Sequence, residues 1–123
     1  MRAFMQAVAD SSIVRMSNLW GTAKGPASKT GQPSDYEKRM QVTQAYLRGS
    51  PYKVLASEAF ESDPTRRKVV VELDRTQCVK TVPFVLVRVG DTGWIVNSVD
   101  LNAAGSPNRA CEALPPPDSR PKN

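Results

Sequence analysis

Histidine is absent from all 123 residues. That absence removes the Ser-His-Asp and Cys-His nucleophile systems, in which an imidazole must take up the proton. It also removes the His-rich metal sites. Only two cysteines are present, Cys78 and Cys111, too few for a structural zinc site built from this chain alone. No metal or other cofactor is expected. Long apolar runs are missing too. The longest stretch is Val82 to Val87 with Pro83 inside it, far short of the roughly 18 residues that cross a bilayer, so no membrane span is expected. No cleavable leader is visible. The helical pattern begins almost at Met1, and an exported protein would have lost its leader ahead of that residue.

The chain also has no block of one charge sign. Its net charge is +5, from 17 Lys and Arg against 12 Asp and Glu. The cations are dispersed, and Arg66-Arg67-Lys68 is their one cluster. Dispersed cations interleaved with acids read as solvated surface rather than as a nucleic-acid footprint. Hydrophobic residues make up 40% of the chain, which suits one domain with a single core. Residues 1–114 are read as that domain. From Pro115-Pro116-Pro117 onward, residues 115–123 read as a disordered proline-rich tail.

Two helical segments come first. Phe4 to Ala9 begins a helix, and Asp10-Ser11-Ser12 offers a break or a cap. Ile13, Met16 and Trp20 follow at helical spacing, and Gly21 fits a helix stop. Gly21 to Pro33 reads as an exposed loop of about a dozen residues, long enough to suggest a lid. It lacks the spacing of a phosphate-binding glycine loop, and no strand precedes it. Ser34-Asp35-Tyr36-Glu37 has the form of a capping box. Tyr36, Met40, Thr43 and Leu47 then share one stripe, widened by Val42 and Tyr46, while Lys38 and Arg48 face outwards. Gly49-Ser50-Pro51 ends that helix.

Four strands complete the domain: Tyr52 to Phe60, Arg67 to Asp74, Cys78 to Val89, and Trp94 to Leu101. Val69, Val71 and Leu73 alternate with polar neighbours, as in a strand with one buried face. Gly90-Asp91-Thr92-Gly93 is a hairpin turn. If Val89 faces Trp94, Phe84 faces Val99 and Leu86 faces Asn97. One face then collects Val82, Phe84, Leu86, Ile95, Val99 and Leu101, with Arg88 and Asn97 among them. The other collects Val85, Val87, Val89, Trp94 and Val96. Both faces are more apolar than a sheet with one wet side needs. The expected fold is α+β, with N-terminal helices packed on a curved, four-stranded, mainly antiparallel sheet. The second apolar face implies a homodimer formed through the outer side of that sheet.

The same register sets Cys78 opposite Gly105, so that Cys111 can fold back onto it. A Cys78–Cys111 disulfide would pin the tail to the sheet and place the protein in an oxidising compartment, periplasmic or secreted. The alternative is a reactive thiol, which would want a neighbouring base. Arg88 and Asn97 read either as polar groups in an apolar ligand pocket, or as a rim arginine and an asparagine bonded to a helix end. Trp20, Tyr36 and Tyr46 lie on inward helical faces, as pocket lining or as core aromatics with one polar tip satisfied.

The layout then suggests a family. A helix ending in Trp20, a further helix, and four long strands closing in Gly93-Trp94-Ile95-Val96-Asn97-Ser98-Val99-Asp100-Leu101 resemble the nuclear-transport-factor-2-like superfamily, also called cystatin-like. The resemblance covers about residues 3 to 102. It implies a cone with a pocket at its open end and a small hydrophobic ligand. Enzymes of that superfamily include ketosteroid isomerases, scytalone dehydratases, polyketide cyclases and limonene-epoxide hydrolases, while many other members only bind. The His-dependent catalytic sets have no counterpart here, and no catalytic residue carries over. Asp74 and Asp100 are the acids nearest apolar sheet positions, where a raised pKa would make a general base. The sequence therefore favours a non-catalytic exported binding or protein-interaction module. The alternative is a small lyase or isomerase of the ketosteroid-isomerase or polyketide-cyclase type, using an Asp base.

Overall fold

The computed structural model describes residues 1–90, 93–106 and 111. The centre of the Gly90–Gly93 turn and the expected proline-rich tail lie outside the described residues. Helix α1 (Arg2–Ala9) buries Phe4, Met5, Ala7 and Val8, four positions that share one side at 3.6 residues per turn. Ser12 caps α2 (Ile13–Asn18), its hydroxyl accepting from the Arg15 amide at 3.2 Å. Helix α4 (Tyr36–Leu47) turns Met40, Thr43 and Leu47 inwards and leaves Val42 largely in solvent.

The expected exposed loop between α2 and α4 is instead ordered. Gly21–Thr22 (β1) and Gly25–Pro26 (β2) form a small antiparallel ribbon, followed by the short helix α3 (Ala27–Thr30). Backbone pairing is the reason: the Ala27 amide donates to the Trp20 carbonyl at 2.8 Å, and Ala27 is fully buried. Gly21 is required in this ribbon. A Cβ there would collide with the Gly25 carbonyl oxygen and lie 2.9 Å from the Ala27 amide nitrogen.

The capping box does not form. Asp35 takes the N-cap position of α4 with no side-chain cap bond. Its carboxylate is drawn one turn along, to the Arg39 guanidinium at 2.8 Å. The helix boundary falls at Asp35, one residue later than a Ser34 cap requires, and the Tyr36 amide donates to the Pro33 carbonyl at 3.0 Å.

Four antiparallel strands follow in meander order: β3 (Tyr52–Phe60), β4 (Asp63–Asp74), β5 (Val79–Val89) and β6 (Gly93–Val99). Their inner face supplies Val69, Val71, Leu73, Val82, Phe84, Leu86 and Val96 to one core with Phe4, Met5, Val8, Met16, Met40 and Leu47 from the helices. Phe4 and Phe84 meet edge to face, with ring centroids 6.3 Å apart. The fold is thus α+β, a helical layer on a four-stranded antiparallel sheet, with the small ribbon added.

The last hairpin departs from the expected register. Phe84 faces Val99 and Val85 faces Ser98 as anticipated, but Leu86 then faces Val96 and Arg88 faces Trp94. Asn97 is the extra residue, a β-bulge. Trp94 and Val96 therefore move to the inner side, and Ile95 moves to the outer side beside Val87. The cause is parity. Val96 and Val99 are three residues apart, so a regular strand cannot turn both to the core. One inserted residue lets both face it. The strand also stops at Val99 rather than Leu101. Asp100 caps the short helix α5 (Leu101–Ala104), its carboxylate accepting from the Ala103 amide at 3.3 Å.

Cys78 and Cys111 are joined in a disulfide, with their Cα atoms 5.6 Å apart across 33 residues of sequence. Close by, Arg75 gathers the ends of two helices. Its guanidinium donates to the carbonyls of Tyr46, Arg48 (3.4 Å) and Ala104 (3.2 Å), and to the Ser50 hydroxyl at 3.0 Å. No carboxylate pairs with it among the described residues. Burial draws its pKa below the ordinary guanidinium value. A cation at helix C-terminal carbonyls also meets the negative ends of their dipoles.

Candidate functional site

The Asn97 bulge builds the site. The Val96 amide donates to the Leu19 carbonyl at 2.8 Å, and the Asn97 side-chain amide donates to the Gly21 carbonyl at 2.9 Å. Two consecutive residues thus grip the backbone on either side of Trp20, which forms an isolated bridge with Val96. Trp20 is thereby fixed as a wall and is only 8% exposed.

In front of that wall lies a cleft of about 430 Å³. Helix α4 contributes Lys38, Arg39, Val42 and Thr43, with Asp35 at its N-cap. The end of β6 contributes Asn97, Ser98 and Val99, and Leu101 closes the rim from the start of α5. A second hollow of about 330 Å³ runs beside it towards Thr22, Gln32 and Pro33, and shares Trp20, Arg39 and Asn97 with the first. The larger space lies within the roughly 300–1,000 Å³ of sites that enclose small molecules.

The electrostatics are simple. Donation from the Arg39 guanidinium holds the Asp35 carboxyl below the usual carboxylate range. Asp35 therefore stays ionised and is a poor reservoir for a proton in transit. Asp100 is committed as the α5 cap, and Asp74 accepts from the Thr76 amide at 2.9 Å in a turn. Neither lines the cleft. Among the described residues, no cluster of three or more His, Cys, Asp or Glu side chains could hold a metal ion, and no helix is long and apolar enough to cross a membrane.

Of the candidate residues, Trp20 and Asn97 are brought together. Tyr36 is half-buried against the core, and Tyr46 is half-buried at the far end of α4, where its carbonyl serves Arg75. Arg88 is exposed on the sheet, opposite Trp94. None of these three lines the cleft. Lys38 and Arg39 were missed as site residues. A helical charge reads as a solvated face, and the available signal was Val42 one turn beyond Lys38, an apolar residue on a polar side of the helix. No family model, no curated protein and no solved structure matches this chain.

Proposed function

We propose that this chain is an exported, non-catalytic module of the nuclear-transport-factor-2-like kind that binds a small, largely apolar molecule in the cleft between α4 and the end of β6. One observation carries the reading: Trp20, held on both sides by the bulge at Asn97, stands as a fixed aromatic wall beside Val42, Val99 and Leu101, while Asp35, Lys38, Arg39, Thr43, Asn97 and Ser98 supply the polar lining. An apolar wall with donors and acceptors placed around it suits an amphipathic small molecule. The lowered Asp35 carboxyl favours binding over proton abstraction, because a general base at neutral pH gains from a raised value. The disulfide supports export, since such bonds persist in oxidising compartments. Val70, Val85 and Val89 are half-buried on the outer sheet face beside Lys68 and Glu72, and this face supports association of two copies there.

The test is a thermal-shift screen of apolar small molecules, with hits mapped by NMR. A ligand of the native state raises its melting temperature by mass action. The expected perturbations fall on the Trp20 indole, the Asn97 side-chain amide and Val99. Hits that leave those signals unmoved and shift the outer sheet face instead would overturn the cleft as the site.

A further inference from the structure

We infer that the cleft selects a free monoanionic amphiphile, an apolar chain ending in a carboxylate, with the chain against Trp20 and the head group between Lys38 and Arg39. The inference rests on the cleft being the binding site and adds the chemistry of the head group. Three side chains of the cleft carry charge: Asp35 is negative, while Lys38 and Arg39 are positive. Two cations less one anion leave a single positive charge, which one carboxylate balances. The donors are also free. Arg39 spends its Nε on Asp35, and its terminal amino groups have no acceptor among the described residues. Lys38 forms no ion pair among them. An arginine with two uncommitted N–H groups on one edge suits the two oxygens of a carboxylate.

Depth orders the groups. Lys38 and Arg39 are exposed, Arg39 with 56% of its side chain accessible, whereas Trp20 and Thr43 are buried at 8% and 6%. An amphiphile therefore enters chain first and leaves its charge at the wet rim. There the ion pairs are screened, so the head group sets preference rather than most of the affinity. The buried position of Trp20 also favours a single molecule over a lipid surface, because a bilayer face would meet the rim cations without reaching the indole.

The experiment uses the full chain carrying W94F, which leaves Trp20 as its one tryptophan. Its fluorescence is followed while decanoate, decanol and decyltrimethylammonium are added as monomers at low salt. Decanoate is expected to bind roughly three- to tenfold tighter than decanol, as two exposed ion pairs allow, and the cation is expected to bind most weakly. The preference should vanish in the K38Q/R39Q double variant and shrink in about 0.5 M salt. Equal affinities for the three would overturn the head-group inference while leaving the cleft as a binding site. Failure of all three to perturb Trp20 would remove the cleft itself. Tighter binding to phosphatidylglycerol vesicles than to monomeric decanoate would replace the free amphiphile by a membrane surface.

Discussion

The two ends of α4 are built on opposite terms. At its carboxyl end the Tyr46 and Arg48 carbonyls are taken by Arg75, which also holds Ala104, and the Cys78–Cys111 disulfide closes the chain nearby. Both terminal nitrogens of Arg75 have protein partners there, while its buried Nε has none among the described residues. At the amino end, some 15 Å away by helical rise, Lys38 and the terminal amino groups of Arg39 lie at the rim of a cleft with no ion-pair partner among the described residues. Helix α5 joins the two, since Leu101 lines the cleft while Ala104 accepts from Arg75. The difference teaches that restraint can be concentrated away from a site, leaving part of the donor capacity of its cations uncommitted.

The comparison breaks if restraint turns out to be shared evenly. Its largest test is the disulfide. Cys78→Ala with Cys111→Ala should lower stability by about 3–4 kcal/mol, the entropy of closing a loop of this length, read as a lower urea midpoint. Cleft signals at Trp20 should stay in place below that midpoint. Arg75→Met comes next. It strips partners from three carbonyls and a hydroxyl, and the expected loss is about 2–3 kcal/mol, again without change in the Trp20 environment.

Asn97→Ala sharpens the contrast from the other end. It leaves the Gly21 carbonyl without its donor and should cost only about 1–2 kcal/mol, yet it should loosen Trp20. A red shift in the emission of Trp20, measured in a W94F background, would report that loosening. An unchanged spectrum would mean that the bulge does not hold the wall.

Acid titration gives the smallest effect. The Asp10, Asp35 and Asp63 carboxyls lie below their usual value of 3.8, held there chiefly by Arg15, Arg39 and the Thr65 hydroxyl. Groups with lowered folded pKa values add stability above the unfolded value and lose it as pH falls through the folded ones. Stability should therefore decline slightly between about pH 4 and pH 2. Asp10 and Asp35 are exposed and Asp63 is partly so, so salt should erase most of the decline. A steep loss would mean that a buried carboxylate carries it.

Much of the fold was legible because it is periodic. The spacing of Phe4, Met5 and Val8, the stripe of Met40, Thr43 and Leu47, and the alternation of Val69, Val71 and Leu73 each point to the face that is buried. The disulfide followed from pairing the strands. The site was less legible, because it arises where periodicity fails. Ile95 and Val99 support one facing of β6, and Trp94 and Val96 the other. A strand apolar in both parities does not reveal that one inserted residue reconciles them. Arg75 was invisible for a related reason: an arginine in a turn carries no repeat, and its partners are carbonyls contributed by distant segments. The capping box misled because the helix boundary falls one residue later, at Asp35, whose carboxylate pairs with Arg39.

Gly21 sets a rule for how this protein can drift. Its α-carbon is hemmed in by the backbone of Gly25 and Ala27, so even a methyl group is barred, and its oxygen is held by Asn97. Thr22 and Gln32 border the smaller hollow, and the Thr22 hydroxyl also accepts from the Lys24 amide at 3.2 Å, which leaves Gln32 the freer of the two. Positions 21 and 97 are held for separate reasons, the first by the backbone packed on its α-carbon and the second by the amide that reaches the carbonyl of residue 21.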